Sequence, residues 1–188
     1  MTTIYHYTDI NGFFNIVKHK KLWLSGPHNL NDHQELHWAY RKIENTFTRL
    51  EGKFNPEHLQ SLWQMIFLNK TTPFTCSLSS DGDLLSQWRA YAKDGVGVAI
   101  GFNGDLLPNT SSLPRYTAAV QDSITTLKVQ YDEEIQNSTI EQIVVSTLES
   151  MSNNENVQPE IFTIGAAHKL NGLATIYKNN AFREECEW

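Results

Sequence analysis

The last eight residues, AFREECEW at 181–188, hold the densest set of groups able to do chemistry. Read as an extended strand, the segment puts side chains two apart on one face. Phe182, Glu184, Cys186 and Trp188 then share one side, and Arg183, Glu185 and Glu187 the other. Two carboxylates held side by side perturb each other's protonation and can orient a hydroxyl. The plain alternative is an exposed edge face carrying a salt bridge to Arg183.

A second concentration lies at 84–102, LLSQWRAYAKDGVGVAIGF. It sets Ser86, Gln87, Trp88, Arg89 and Tyr91 on one short helix ahead of an apolar run, as a ligand-binding wall would be built. A structural reading stands beside it, with Trp88 in the core and Arg89 pairing an acid. Gly95, Gly97 and Gly101 do not make a dinucleotide fingerprint, because they fall within a predicted strand and open no helix. His6, between Tyr5 and Tyr7, is either a packed core histidine or a hydrogen-bonding site residue. Asp32, His33, Glu35 and His37 put two histidines one helical turn apart. No third and fourth ligand accompany them, so no metal is expected there.

These groups must be held by elements legible in the pattern. TIYHY at 3–7 and KLWLS at 21–25 alternate as strands do, with a helix between them capped by Thr8 or Asp9 whose apolar side is formed by Ile10, Phe13, Phe14 and Val17. Leu36, Tyr40, Ile43, Phe47 and Leu50 step by 4, 3, 4 and 3, one helical face. Asn55 and Pro56 start another helix with Leu59, Leu62, Trp63 and Ile66 inward. The two predict a helical hairpin laid on a sheet. Strands are expected at 73–79, at 96–102 in the centre of the core, and near 115–121 and 124–131. Asp83 caps the short helix. Ser138 and Glu141 form a capping box for a helix to about Met151. A last helix runs from about Pro159 to Lys178 with Ile161, Ile164, Leu170, Leu173 and Tyr177 inward. Strands and helices do not alternate regularly, which gives an α+β domain rather than a doubly wound sheet.

Composition narrows the function classes. The 188 residues fit one domain, and 40% hydrophobic with 19% charged residues is the balance of a folded chain. A net charge of −6, with no basic run longer than Lys20-Lys21, argues against an extended nucleic-acid surface. Two distant cysteines, Cys76 and Cys186, point to a reduced, cytoplasmic chain. No secretory signal is visible and no apolar run approaches membrane-spanning length, so no membrane partner is expected.

YHYT at 5–8, KLWLSGPHNLND at 21–32, DGDLLSQWRAYAKDGVGVAIGF at 81–102 and AFREECEW at 181–188, in this order, resemble the bacterial domain-of-unknown-function family 2971. That family looks related to the ADP-ribosyltransferase-like superfamily. The resemblance implies an α+β fold in which two small sheets with flanking helices surround a cleft holding NAD. It implies His6 on a ribose hydroxyl, Tyr91 stacking on nicotinamide, and Glu187 as the catalytic acid, with Glu185 as a second acid positioning the acceptor. Tyr7, Ser86, Trp88 and Arg89 would line the cofactor site. The implied reaction transfers ADP-ribose from NAD to an unknown acceptor, in a toxin or phage-defence setting. A catalytically silent module binding a nucleotide or a partner through the same cleft is the alternative. Two departures stand out. His33 replaces the family's proline after LND, and the chain stops at Trp188 where relatives continue, which predicts a single domain over 1–188 incomplete at its C-terminal end.

Overall fold

The computed structural model describes residues 3–26, 33–70, 74–107, 124–154 and 156–188, with side chains in the second helix described from His37 onward. The fold is α+β, with the elements divided into a helical body and a thin layer of extended backbone.

The body forms where the apolar spacing is most regular. Helix α2 (His33–Leu50) buries Ala39, Ile43, Phe47 and Leu50. Helix α3 (Pro56–Leu68) starts at Asn55, whose side chain accepts the Glu57 N–H, and buries Leu59, Leu62 and Ile66. Trp63 is half-buried between Phe47 and Phe67, each ring 5.0 Å away. These helices do not lie on a sheet as a hairpin. Instead α2 rests on α5 (Glu133–Ser152), α5 on α6 (Glu160–Leu173), and α6 on α3. The polar Asn171 ties three of them together. Its amide donates to the carbonyls of Ile66 and Asn69, and its oxygen accepts from Tyr40.

Two helix expectations need correcting. α5 begins at Glu133 rather than near Ser138, because the Asp132 side chain accepts from the N–H groups of Glu134 and Ile135. Glu133 and Glu134 favour that first turn by facing the positive helix end. α6 stops at Leu173, and Ile161 and Ile164 point outward at 66% and 46% exposure. Its buried stripe is Thr163, Ala166, Ala167, Leu170 and Asn171. Small residues there allow close approach to α3, and that rotates the larger isoleucines away.

The extended layer is thinner than the sequence predicts. One sheet is present among the described residues, β1 (Thr3–Thr8) antiparallel to β2 (Val98–Asn103). No residue of β2 is buried, so it is not a central core strand. The remaining pairings are single bridges. Tyr5 and Ser79 exchange both backbone hydrogen bonds at 2.7 and 2.8 Å, and Leu78 and Trp188 do so at 3.2 and 2.8 Å. Ser79 also bridges Glu187, Ser25 bridges Thr75, and Gln130 bridges Tyr177 in parallel. KLWLS and residues 74–79 therefore pair at single residues and make no full strand. The run at 115–121 lies outside the described residues.

Helix α1 (Ile10–His19) is capped by Asp9, yet it buries none of its residues. Its apolar side, Phe13, Phe14 and Val17, is turned outward at 38%, 62% and 57% exposure. Gly12 and Ile16 are its half-buried positions.

Candidate functional site

The C-terminal segment is not a strand. The Asn179 side chain accepts from the Ala181 N–H, and residues Asn180–Glu185 wind into a 3-10 helix. Cys186 then turns the chain with a left-handed backbone at φ 49°. Only Glu187 and Trp188 lie extended, beside residues 78 and 79. The alternating-face reading therefore fails. Phe182, Cys186 and Trp188 are half-buried, and Glu187 is the residue that goes inside, at 8% exposure.

Glu185 and Glu187 still come together, but around Lys178 rather than Arg183. The Lys178 ammonium stands 3.6 Å from Glu185 Oε2 and pairs closely with Glu187 Oε2. The side chains of Lys178 and Glu187 are only 12% and 10% exposed. Apart from that ammonium, no donor among the described residues satisfies Glu187 Oε2. One ammonium thus stands between two carboxylates. The Tyr131 hydroxyl accepts the Glu187 N–H at 3.2 Å. Burial, with a further push from the Glu187 charge, raises the Tyr131 phenol to about 12. Ser79 Oγ donates to the Glu185 carbonyl at 2.8 Å, and the Trp188 indole N–H is buried without an acceptor among the described residues.

A second cluster surrounds α4 (Leu85–Tyr91). Leu84 begins this helix without a side-chain cap of its own. The Tyr7 hydroxyl substitutes, accepting the Leu84 N–H at 3.0 Å and donating to the Asp81 carbonyl at 2.8 Å. Its ring meets Trp88 edge-on at 5.2 Å. Burial raises the Tyr7 phenol above its ordinary value. Asp83 does not cap the helix; its carboxylate accepts from the Trp88 indole at 2.9 Å. Trp88 and Arg89, with Leu85, Asp94 and Gly95, line an open depression of ≈ 460 Å³. Ser86 is half-buried and Tyr91 is 43% exposed at the helix end.

His6 belongs to neither cluster directly. Its Nδ1 is 3.1 Å from the Ser77 carbonyl and 3.6 Å from Cys76 Sγ. Along β1, side chains alternate, so Tyr5 and Tyr7 share one face and His6 takes the other. Residues directly opposite across antiparallel bridges share a face. Tyr5, Ser79 and Glu187 are linked in that way, which sets Glu187 on the face away from His6. Two strand spacings, about 10 Å, separate Tyr5 from Glu187 along the layer. The structure thus unites Glu185 with Glu187 and Tyr7 with Trp88, and it keeps His6 apart from Glu187.

Sequence reasoning missed Lys178. Its signal was its place directly after Tyr177, an inward position that is 3% exposed, so that its stem starts inside. As for the histidine cluster, His37 is exposed on α2, and Asp32 with the side chains of His33 and Glu35 lies outside the described residues.

The molecule is thus a mixed α+β protein carrying a largely buried acid pair at its C-terminal segment. It belongs to the family described as "Protein of unknown function (DUF2971)", which matches residues 87–188. No curated protein and no solved structure matches the chain. Among the described residues, no helix is long and apolar enough to cross a membrane.

Proposed function

We propose that this chain is an ADP-ribosyltransferase-like protein that uses NAD as co-substrate, with Glu187 as its acid and Glu185 beside it. The observation that supports the reading is the Glu185–Lys178–Glu187 cluster, which gathers two carboxylates at a buried position beside the extended layer. Cleaving the nicotinamide–ribose bond builds positive charge on the ribose. A fixed carboxylate in a site with little water stabilises that charge far better than one in bulk solvent. Trp88, Arg89 and Tyr91 would offer aromatic surface and a cation for the nicotinamide and diphosphate portions of NAD, with Ser86 and Tyr7 supporting that wall. His6 would reach a ribose hydroxyl only if NAD wraps the edge of β1, because it faces away from Glu187. The acceptor of ADP-ribose is left open, and the reading invokes no metal.

A second reading is favoured by one observation. Glu187 is already neutralised by Lys178, as in a silent module of the same fold that binds a nucleotide or a partner without turnover. Calorimetric titration with NAD tests the shared premise. Saturable binding to the chain, retained in Glu187→Gln and weakened in Arg89→Ala, is the expected result. A titration without heat or saturation would sink both NAD readings.

A further inference from the structure

We infer that Lys178 is the positioning residue of the acid pair, and that it takes its own placement from the helical body through Gln136. The inference rests on the reading of Glu187 as the acid. Gln136, on α5, is 0% exposed, and both of its amide N–H donors are used. Its Nε2 donates to the carbonyls of Gln130 and Lys178 at 2.6 and 2.9 Å, and its Oε1 accepts from the Trp38 indole of α2 at 3.0 Å. The Lys178 N–H in turn donates to the Gln130 carbonyl at 3.3 Å. Lys178 is therefore held at its own backbone, on both sides, by groups that belong to or bond with the body.

On its other flank, the 129–131 segment meets the acid. The Val129 N–H donates to the Glu187 carbonyl at 3.1 Å, and Tyr131 accepts the Glu187 N–H. Residues 129–131 thus bond to the segments carrying Lys178 and Glu187, and the lysine–glutamate pair closes the loop between them. The short extended piece at 187–188 follows a 3-10 helix and a left-handed turn, and neither of these can fix a side chain by regular pairing. Leu78, Val129 and Tyr131 hold the backbone there, and Lys178 fixes the Glu187 carboxylate. It also brings both carboxylates to one ammonium.

The test compares the parent, Lys178→Arg, Lys178→Met and the double variant Lys178→Met with Glu185→Gln. The double variant removes one of the two carboxylates that Lys178→Met alone would leave facing each other, and so keeps a folded sample within reach. Hydrogen exchange of the Glu187 and Trp188 amides is read first. About tenfold or faster local exchange is expected in the methionine variants, with Leu148 in α5 unchanged and recovery in the arginine variant. In nicotinamide release, Lys178→Met should lose about tenfold or more in kcat with little change in KM for NAD, because a misplaced acid spoils the chemical step more than binding. Unchanged exchange at Glu187 and Trp188 in the double variant would overturn the role of Lys178, as would a Lys178→Met enzyme with parental kcat. A parent that binds no NAD would remove the enzyme reading, and the exchange result alone would then decide whether Lys178 positions the segment.

Discussion

The helical body and the extended layer are held together by different means. In the body, Ile43, Leu62, Ile140, Val144, Leu148 and Leu170 are each 0% exposed and meet in one apolar cluster. Order there comes from area removed from water, which is additive and non-directional. In the layer, Ile4, Tyr7 and Leu78 are buried beside the polar Ser79 and Glu187, and outside the β1–β2 ladder the segments join at single bridges. Order there depends more on directed hydrogen bonds and an ion cluster than it does in the body, and each missing partner leaves a buried group unsatisfied. A region of the first type tolerates conservative change and sets stability. One of the second type is marginal in stability, specific in geometry, and suited to a site.

The comparison can be broken most forcefully in the body. Leu148→Ala should cost about 2–5 kcal/mol in a urea melt, through lost burial and the cavity it leaves. A loss under ~1 kcal/mol would mean the body is not where stability resides. In the layer, Gly97→Ala should cost about 1–3 kcal/mol. A Cβ on Gly97 would stand 2.3 Å from the Thr8 carbonyl oxygen and 2.9 Å from Ala92, both backbone or short side chain with no room to yield. Its amide shifts should change along β1 and spare α5; changes confined elsewhere would show that β1 and the α4 turn are not in contact.

An alkaline titration sharpens the same contrast. Burial pushes the Cys76 thiol up from 9.0 to about 11. Between those values the folded chain keeps a proton that the unfolded chain releases, so stability is full below pH ~9 and falls as pH rises toward ~11. The loss assigned to this one thiol is on the order of 2 kcal/mol. Cys76→Ala should flatten that part of the pH–stability curve, and an unaltered slope would place the thiol in water. The smallest effect is expected outside both regions. Phe14→Ser, at a position 62% exposed, should shift stability by no more than ~0.5 kcal/mol. A larger loss would reveal packing on α1 that the exposure of its apolar face denies.

How far the sequence could be read follows the same division. α2 and α3 were legible because their stabilisation is periodic, in the steps from Tyr40 to Leu50 and in the Asn55-Pro56 start. The α6 stripe was read correctly at Leu170 and Leu173, and at Tyr177 beyond its end, but missed at Ile161 and Ile164, because small residues, not large ones, decide which face can approach α3. In the layer periodicity found β1 and β2 but misled at the C-terminal segment. FREECEW alternates in type, yet the Asn179 cap and the Cys186 turn are local hydrogen-bond and dihedral choices that override alternation. The pairing of Glu185 with Glu187 was visible as spacing. Its lysine was not, because Lys178 reaches the pair across residues 129–131 through contacts distant in sequence.

Nicotinamide release by the parent and by Glu187→Gln, measured at the same temperature with both melting curves recorded, tests the central claim most directly. The substitution keeps the shape of the side chain, and Lys178 keeps its contact with Glu185, so the fold should persist with little change in Tm. Release should fall ~100-fold or more, because the charge that meets the developing cation is gone while the shape remains. Parental release by Glu187→Gln, with the fold intact, would contradict the account.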